Sequence, residues 1–138
     1  MPKPPLPHDV VDLLRRPNPA VVAVVTPSGH PMSVATWYLF EGDGTILVNM
    51  DAERARLRWM RERPHVSLTA LKEDEWYTHV SVRGPVVRWE DDPEKALADI
   101  DRLSQQYRGQ DYPDRKRPRV SAWFEIEHWH GWGGAKAR

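Results

Sequence analysis

A chain of 138 residues can bury one substantial hydrophobic core but is too short for two such domains. Its 20 basic and 20 acidic side chains cancel, which gives no general electrostatic attraction to nucleic acid or anionic membranes. Cysteine is absent, which excludes disulfides and thiolate metal sites, and no apolar run approaches the roughly 20 residues of a membrane helix. We expect a single cytoplasmic domain over residues 1–138, with the proline-rich residues 1–7 as a flexible arm.

The first third of the chain predicts a helix and two strands. Residues 8–16 place their valine and leucine side chains on one helical side, and Pro17 ends that helix. Residues 21–26 form a continuous apolar run that is typical of a buried strand. After a turn with hairpin chemistry at residues 27–30, residues 31–40 form a second strand in which neither alternating face is strongly polar. Both faces of that strand are therefore expected to be covered.

A strand that runs directly into a helix carries the sharpest chemical signal. Residues 46–50 are the strand, Asp51 is expected to cap the following helix, and Pro64 ends it. Arg54 and Arg56 fall in the first turns of this helix, where the positive end of the helix dipole disfavours cations. An anion, typically a phosphate, bound between these arginines and the free amides would explain them. The alternative is a solvated, arginine-rich helix face with nearby glutamates as partners.

The rest of the chain predicts three more strands and a helix. Residues 65–71 are a strand, and an acidic turn separates it from a long strand at residues 76–90. The pair Gly84-Pro85 interrupts the long strand and suits a bulge or a corner where a sheet closes. Asp92-Pro93 opens a helix with proline at its first position, and residues 120–126 are the last clear strand. About six strands, with a helix after the third, indicate a small antiparallel barrel.

Residues 128–134 are aromatic and histidine-rich, and seven tryptophans are many for this length. Aromatic side chains of this size favour cores, interfaces and pockets for flat rings. His128 and His130 share a face if this segment is extended, but no third ligand accompanies them, so no metal site is predicted. Neither G-x-S-x-G nor a glycine-rich phosphate loop occurs, which leaves a serine nucleophile without support.

Four short motifs follow one another in a recognisable order. They are V-x-T-x-x-G-x-P, L-V-x-x, E-R-A-R and R-x-x-P-x-V-S, at residues 24–31, 47–50, 53–56 and 61–67. Over about residues 8–133 the chain resembles the pyridoxamine-5'-phosphate-oxidase-like split-barrel flavoproteins, and it is most similar to their deazaflavin branch, the F420-dependent reductases. That resemblance implies a mostly β fold, a six-stranded antiparallel split β-barrel (FMN-binding split barrel) with crossover and flanking helices. It also implies a homodimer with two cofactor sites at the subunit interface.

The resemblance also assigns cofactor contacts to individual residues. Arg54 and Arg56 match the basic residues that bind the cofactor phosphate in this family. Residues 32–37 match the strand along the ring system, and a C-terminal aromatic residue, Trp129 or Trp132, would close the partner's site. The expected cofactor-binding residues are Met32, Ser33, Val34, Ala35, Trp37, Asn49, Met50, Arg54, Ala55, Arg56 and Trp132.

The sequence departs from the family where Ala35 and Trp37 replace polar residues often found on the ring-contacting strand. Trp37 would either stack on the ring or fill part of the pocket, and the second case would leave a degenerate or empty site. The implied activity is F420-dependent hydride transfer with a conjugated or quinone-like small molecule, in which the cofactor supplies the chemistry. No catalytic residue is assigned, although Tyr38, Tyr77 and His79 are candidate proton donors.

F420 is preferred to FMN because of the short chain, the arginine-rich first helical turn and the motif Y-R-G-x-x-Y-P at residues 107–113. The alternatives are an FMN-binding protein of the same family and a non-catalytic cofactor or haem carrier on the same barrel. An oligonucleotide-binding barrel is a further alternative, against which the zero net charge argues. F420 continues beyond its phosphate into an acidic tail, which would need cations. Candidates for this role are Arg58, Arg61, Arg108, Arg115, Lys116, Arg117 and Arg119.

Overall fold

The computed structural model describes residues 1–136, and this part of the chain contains three α-helices and eight strands. The helices are α1 (His8–Leu14), α2 (Ala55–Glu62) and α3 (Pro93–Arg108). The strands are β1 (Ala20–Val25), β2 (Pro31–Thr36), β3 (Leu39–Phe40), β4 (Ile46–Asp51), β5 (His65–Leu71), β6 (His79–Glu90), β7 (Arg119–Phe124) and β8 (His128–Trp132). None of the described helices combines the length and the hydrophobicity needed to cross a membrane.

All strand pairings are antiparallel, and β6 is the strand about which the sheet folds. The strand order is β2-β1-β5-β6-β7-β4-β3, and β8 also pairs with β6. The first part of β6 pairs with β5 on one edge and with β8 on the other, whereas residues 86–90 pair with β7. The result is a curled, mostly β half-barrel with three helices, which confirms the predicted split-barrel fold class.

The change of partner along β6 occurs at the predicted corner. A Cβ atom on Gly84 would lie 1.8 Å from the carbonyl oxygen of Glu125, so only glycine allows the backbones to approach here. The amide of Glu125 donates to the carbonyl of Pro85 at 3.0 Å, and the β6–β7 register shifts between Val86 and Arg88. This irregularity bends β6 from one half of the barrel into the other.

Two apolar clusters hold the elements together. The main cluster fills the barrel and includes side chains from every helix and strand around it except α3, with Leu14, Met60 and Phe124 fully buried. A smaller cluster attaches α3 to the outer side of β4 and β7. It consists of Leu47, Ile100, Leu103 and Trp123. Residues 1–7, expected to be a flexible arm, contact the barrel where the Trp129 amide donates to the carbonyl of Pro2 at 3.0 Å.

The predicted strand at residues 31–40 is broken into β2 and β3. Tyr38 turns into the core, where its hydroxyl donates to the carbonyl of Leu14 and accepts from Nδ2 of Asn18, both at 2.9 Å. The break leaves Trp37 between the two short strands, at the edge of the cavity described below.

Asp51 does not cap α2, contrary to the prediction. It is the last residue of β4, where one carboxylate oxygen accepts from the Glu53 amide at 2.9 Å and the other pairs with Arg117 at 2.7 Å. Arg54 occupies the N-cap position and makes no side-chain cap hydrogen bond. The start of α2 therefore carries arginines without an acidic cap, and Asp51 is used to anchor the loop before β7.

Within a single copy of the chain, β1 and β2 are covered on one face only, so the chain itself does not supply the expected cover of the other face. Val21 and Val25 are each 36% exposed, and Ser33 and Ala35 are exposed beside them on β2. The same face continues across β5 and β6 to β8, where Trp132 is 37% exposed. We call this surface the outer face. It includes Val21, Ala23, Val25, Pro31, Ser33, Ala35, Ser67, Thr69, Leu71, His79, Ser81, Arg83, His128, His130 and Trp132.

Candidate functional site

A cavity of about 690 Å³ lies between α3, the start of α2 and the break between β2 and β3. We call it the aromatic cavity, because Trp37, Tyr107 and Tyr112 line it. Ile100 and Leu103 of the smaller apolar cluster form part of its wall. The packing that attaches α3 to the barrel therefore also shapes this cavity.

The three aromatic rings of the cavity pack on one another. Trp37 and Tyr107 are stacked with their ring centroids 5.5 Å apart and an interplanar angle of 11°. Tyr112 meets Trp37 edge-on, with centroids 6.2 Å apart. The Tyr107 hydroxyl donates to the carbonyl of Asn18 at 2.7 Å, and burial raises the pKa of this tyrosine above its ordinary value. Tyr107 is therefore a neutral, fixed ring that holds Trp37 in place.

Two arginines from different elements line the same cavity. Arg56 comes from the first turn of α2, and Arg119 is the first residue of β7. Burial lowers the pKa of Arg56, and the neighbouring charges of Arg54 and Arg119 lower it further. Its Nε is buried without a hydrogen-bond partner among the described residues, and within residues 1–136 neither Arg56 nor Arg119 forms a salt bridge. Glu73 also lines the cavity but pairs with neither arginine among the described residues, so the two cations suit an anionic ligand.

Four of the expected cofactor-binding residues line the aromatic cavity: Ala35, Trp37, Asn49 and Arg56. The structure therefore brings together parts of β2, β4 and α2 that lie far apart in the sequence. Arg54 is exposed beside Arg56 and acts on it through its charge.

The other expected residues do not line this cavity. Met32 and Val34 pack against the main cluster, and Met50, at 2% exposed, is buried within it. Ala55 is half-buried on α2. Ser33 and Trp132 lie on the outer face. Trp129, the alternative to Trp132, is 3% exposed and belongs to the core, so it is not available to close a partner's site.

None of the three candidate proton donors lines the aromatic cavity. Tyr38 is fully buried, and burial raises the pKa of its hydroxyl, which already donates to a backbone carbonyl. Tyr77 is exposed in the loop between β5 and β6, and His79 is half-buried on the outer face. Neither is placed to deliver a proton to a ligand in the cavity of its own chain.

Several cations expected to receive an acidic tail already have carboxylate partners. Arg61 pairs with Asp91. Arg115 pairs with Asp101 at 2.6 Å. Arg117 pairs with Asp51 at 2.7 Å. An acidic tail would therefore have to displace a carboxylate to pair with any of these three cations.

Two residues that line the cavity, Tyr107 and Tyr112, were not among the expected contacts, and a third, Arg119, was expected in another role. A signal for the two tyrosines was present, because they begin and nearly end the motif at residues 107–113. That motif indicated the branch of the family, and its position in a cavity follows only from the packing of α3. Arg119 was expected to bind an acidic tail, whereas its place in the cavity depends on the β4–β7 pairing.

The sequence matches the family described as pyridoxamine 5'-phosphate oxidase over residues 6–133. A solved structure named F420 reductase superposes with a TM-score of 0.80 at 26% identity, over 90% of this chain and 98% of that chain. A conserved hypothetical protein from Mycobacterium tuberculosis superposes with a TM-score of 0.71 at 19% identity, over 95% of this chain and 91% of that chain. General stress protein 26 from Bacillus anthracis superposes with a TM-score of 0.68 at 13% identity, over 91% of this chain and 92% of that chain. The Mycobacterium and Bacillus structures show that the fold is shared. No curated protein matches this sequence.

Proposed function

Because this chain belongs to the pyridoxamine 5'-phosphate oxidase family, we propose that it is an F420-dependent oxidoreductase with its cofactor in the aromatic cavity. The reaction is hydride transfer between the deazaflavin and a conjugated or quinone-like small molecule. The likeness to a structure named F420 reductase supports this choice of cofactor.

The observation that carries the proposal is the composition of the cavity. Aromatic and apolar side chains suit a flat tricyclic ring, and two arginines without carboxylate partners among the described residues suit a phosphate. The buried, unpartnered Nε of Arg56 is the most specific feature, since a buried donor gains free energy when a ligand satisfies it. The residues present therefore fit a flavin-like or deazaflavin phosphate.

The residues of this chain bind and orient the cofactor rather than react with the substrate. When bound, a deazaflavin supplies the hydride chemistry at its ring. Arg56 would hold the phosphate, and Ala35 and Trp37 would form the walls of the space for the ring. Tyr107 stacks on Trp37 and keeps it in place. Trp37 has one face against Tyr107, so it narrows the cavity on that side and helps to exclude water.

We include in the proposal that two copies of the chain form the working unit. The outer face exposes Val21, Val25 and Trp132, and a second copy would bury them. Ser33 and Trp132, which lie outside the cavity of their own chain, would meet a cofactor only through such a partner.

The test is titration of the purified protein with F420 and, separately, with FMN, followed by absorbance and fluorescence. Reduced F420 is then mixed with menadione, a quinone, without oxygen, and the return of the oxidised spectrum is measured. Binding of F420 together with turnover supports the proposal, and binding without turnover indicates a carrier. Failure of both cofactors to bind at micromolar concentration contradicts it.

FMN is the second candidate, and the ion pairs of three candidate tail cations favour it. FMN ends at its phosphate, whereas the acidic tail of F420 needs additional cations. Arg61, Arg115 and Arg117 are already paired within the protein, so an acidic tail would have to displace their carboxylates. Tighter binding of FMN than of F420 at low ionic strength would move the assignment to the flavin.

A further inference from the structure

Arg119 is held in the aromatic cavity on two sides. Its Nε donates to Oδ1 of Asn49 at 2.6 Å, and its guanidinium carbon lies 4.8 Å from the centroid of the Tyr112 ring. Among the described residues, no hydrogen bond or salt bridge uses its two Nη nitrogens. The planar fork of this side chain is therefore oriented by the protein and left open at its tip.

Asn49 uses all of its hydrogen-bonding groups inside the protein. It is 7% exposed, and its Nδ2 donates to the carbonyl of Ala96 and to Oγ of Ser121, both at 3.0 Å. Its Oδ1 accepts from Arg119. The orientation of this amide is fixed by chemistry, because a backbone carbonyl only accepts and an arginine Nε only donates.

A second layer of hydrogen bonds fixes Asn49 in turn. The Ser121 hydroxyl is fully buried and donates to Oδ2 of Asp99 at 2.7 Å, which leaves its oxygen free to accept from Asn49. The other oxygen of Asp99 accepts from Arg102 at 3.1 Å. Each hydrogen bond in this series, from Asp99 on α3 through Ser121 and Asn49 to Arg119, therefore has a defined donor and a defined acceptor.

We infer that Arg119 and Arg56 together form the anion subsite of the cavity, with Asn49 as the positioning residue that aims Arg119. This differs from the expected phosphate pair, Arg54 and Arg56, and from the expected role of Asn49 as a cofactor contact. The inference rests on the proposed function for its ligand, the phosphate of a flavin or deazaflavin. Two guanidinium groups from different elements can contact different oxygens of one phosphate, whereas Arg54 is exposed beside the cavity.

Riboflavin and FMN isolate the phosphate contact, because they share the ring and the ribityl chain and differ only in the phosphate. Replacement of Arg119 by glutamine should weaken FMN binding by about tenfold or more and leave riboflavin binding unchanged within about twofold. The same comparison applies to F420 and its phosphate-free deazaflavin chromophore. Exposed Arg15, replaced by glutamine, is the charge-matched control, and it should leave all affinities unchanged.

The role of Asn49 is tested with a leucine of similar size. Asn49→Leu should weaken FMN binding and spare riboflavin binding, and combining it with Arg119→Gln should add little further loss. Ser121→Ala, which lies one step further from the cavity, should act in the same direction and more weakly. Equal losses of FMN and riboflavin affinity in Asn49→Leu would overturn the positioning role, because they would show a contact with the ring.

Inorganic phosphate separates this inference from the proposed function. Phosphate should raise the melting temperature of the ligand-free protein, and the rise should disappear in Arg119→Gln. If phosphate acts in this way while no flavin or deazaflavin binds, the anion subsite stands and the proposed function fails. If FMN binds more tightly than riboflavin and Arg119→Gln does not change that preference, the subsite is wrong and the proposed function stands. If neither phosphate nor any cofactor binds, both are overturned.

Discussion

Arg56 is a cation in surroundings that oppose its charge. Burial and the charges of Arg54 and Arg119 lower its pKa, which means that the folded chain disfavours the charged form more than the unfolded chain does. For a basic group with a lowered pKa, this penalty is fully present at every pH below the folded-state pKa, including neutral pH. A bound anion would remove this penalty, so Arg56 lowers the stability of the ligand-free protein and raises its affinity for an anionic ligand.

Replacement of Arg56 by methionine should therefore stabilise the ligand-free protein while weakening cofactor binding. Methionine keeps the unbranched stem and removes the charge. We expect the free energy of unfolding to rise by on the order of 0.5 kcal/mol, a value reduced for the partial exposure of this side chain. Cofactor affinity should fall by about tenfold or more, through loss of a charge-assisted hydrogen bond. Urea unfolding and fluorescence titration measure the two effects.

Arg58→Met is the matched stability control, because Arg58 is exposed on the same helix. It should leave the free energy of unfolding nearly unchanged. A clear loss of stability in Arg56→Met, with none in the control, would show that the guanidinium stabilises the free protein. The description of Arg56 as a disfavoured cation would then be wrong.

At the scale of elements, β6 depends on one glycine. The Cβ of any other residue at position 84 would lie 1.8 Å from the carbonyl oxygen of Glu125, and a backbone atom cannot move aside as the end of a flexible side chain can. Gly84→Ala should lower the free energy of unfolding by about 3 kcal/mol or more, as severe overpacking does. Chemical unfolding followed by circular dichroism measures this loss.

Gly42 offers the corresponding control in a turn. A Cβ atom there would meet no atom within 4 Å, so Gly42→Ala should be nearly neutral. If both alanine variants were equally stable, the two halves of the barrel would have to join differently from the described corner.

A carboxylate ties α3 to the loop before β4. The two oxygens of Glu41 accept from Arg102 at 2.9 Å each, and one also accepts from Nε1 of Trp123 at 2.9 Å. The hydrogen bonds from Arg102 are the largest cause that holds the pKa of Glu41 below its ordinary value of 4.5. An acid with a lowered pKa contributes stability above its unfolded-state pKa, and this contribution is lost as the pH falls through the folded-state pKa.

Glu41→Gln should therefore be less stable than the natural chain at pH 7, by about 1 kcal/mol after allowance for exposure. The difference between the two proteins should shrink as the pH falls below 4.5. Urea unfolding at a series of pH values measures it, with exposed Glu62→Gln as the control. A difference that stays constant down to the acid limit would show that the charge of Glu41 does not matter.

Local signals in the sequence predicted most elements of the fold. The corner at Gly84-Pro85 and the start of α3 after Asp92 each depend on residues close together in the chain, and the structure confirms both. The break at Tyr38 and the pairing of Asp51 with Arg117 depend on partners distant in sequence, which no local pattern reveals. Long-range contacts therefore explain the errors in the element boundaries.

Local signals also identified part of the candidate site, namely the lining of the aromatic cavity. Arg56 was identified because its conflict with a helix terminus is visible locally. Arg119 was counted among cations for an acidic tail, because only the pairing of β4 with β7 places it beside Asn49. Trp37 could be assigned to stack on a ring or to fill space, and its stacking on Tyr107 became visible only once α3 was in position.

At the scale of the molecule, the outer face is the feature that a single chain leaves unsatisfied. It combines the exposed valines of β1 with Trp132 of β8 on one side of a continuous sheet. A partly apolar surface of this kind gains free energy when a second copy of the chain covers it. The same pairing would bring residues of one copy towards the cavity of the other, so assembly and cofactor affinity are expected to change together.

Charge placed on the outer face should therefore separate the copies. Val25 is 36% exposed on this face and does not line the aromatic cavity, whereas Val87 is 50% exposed on β6 beyond the corner. Val25→Glu should be monomeric by light scattering and should bind the cofactor more weakly, because a buried unpaired charge opposes association. Val87→Glu, which adds the same charge elsewhere, should remain dimeric with unchanged affinity. A natural chain that is monomeric at micromolar concentration and still binds the cofactor tightly would contradict the shared site, since one copy would then hold the cofactor alone.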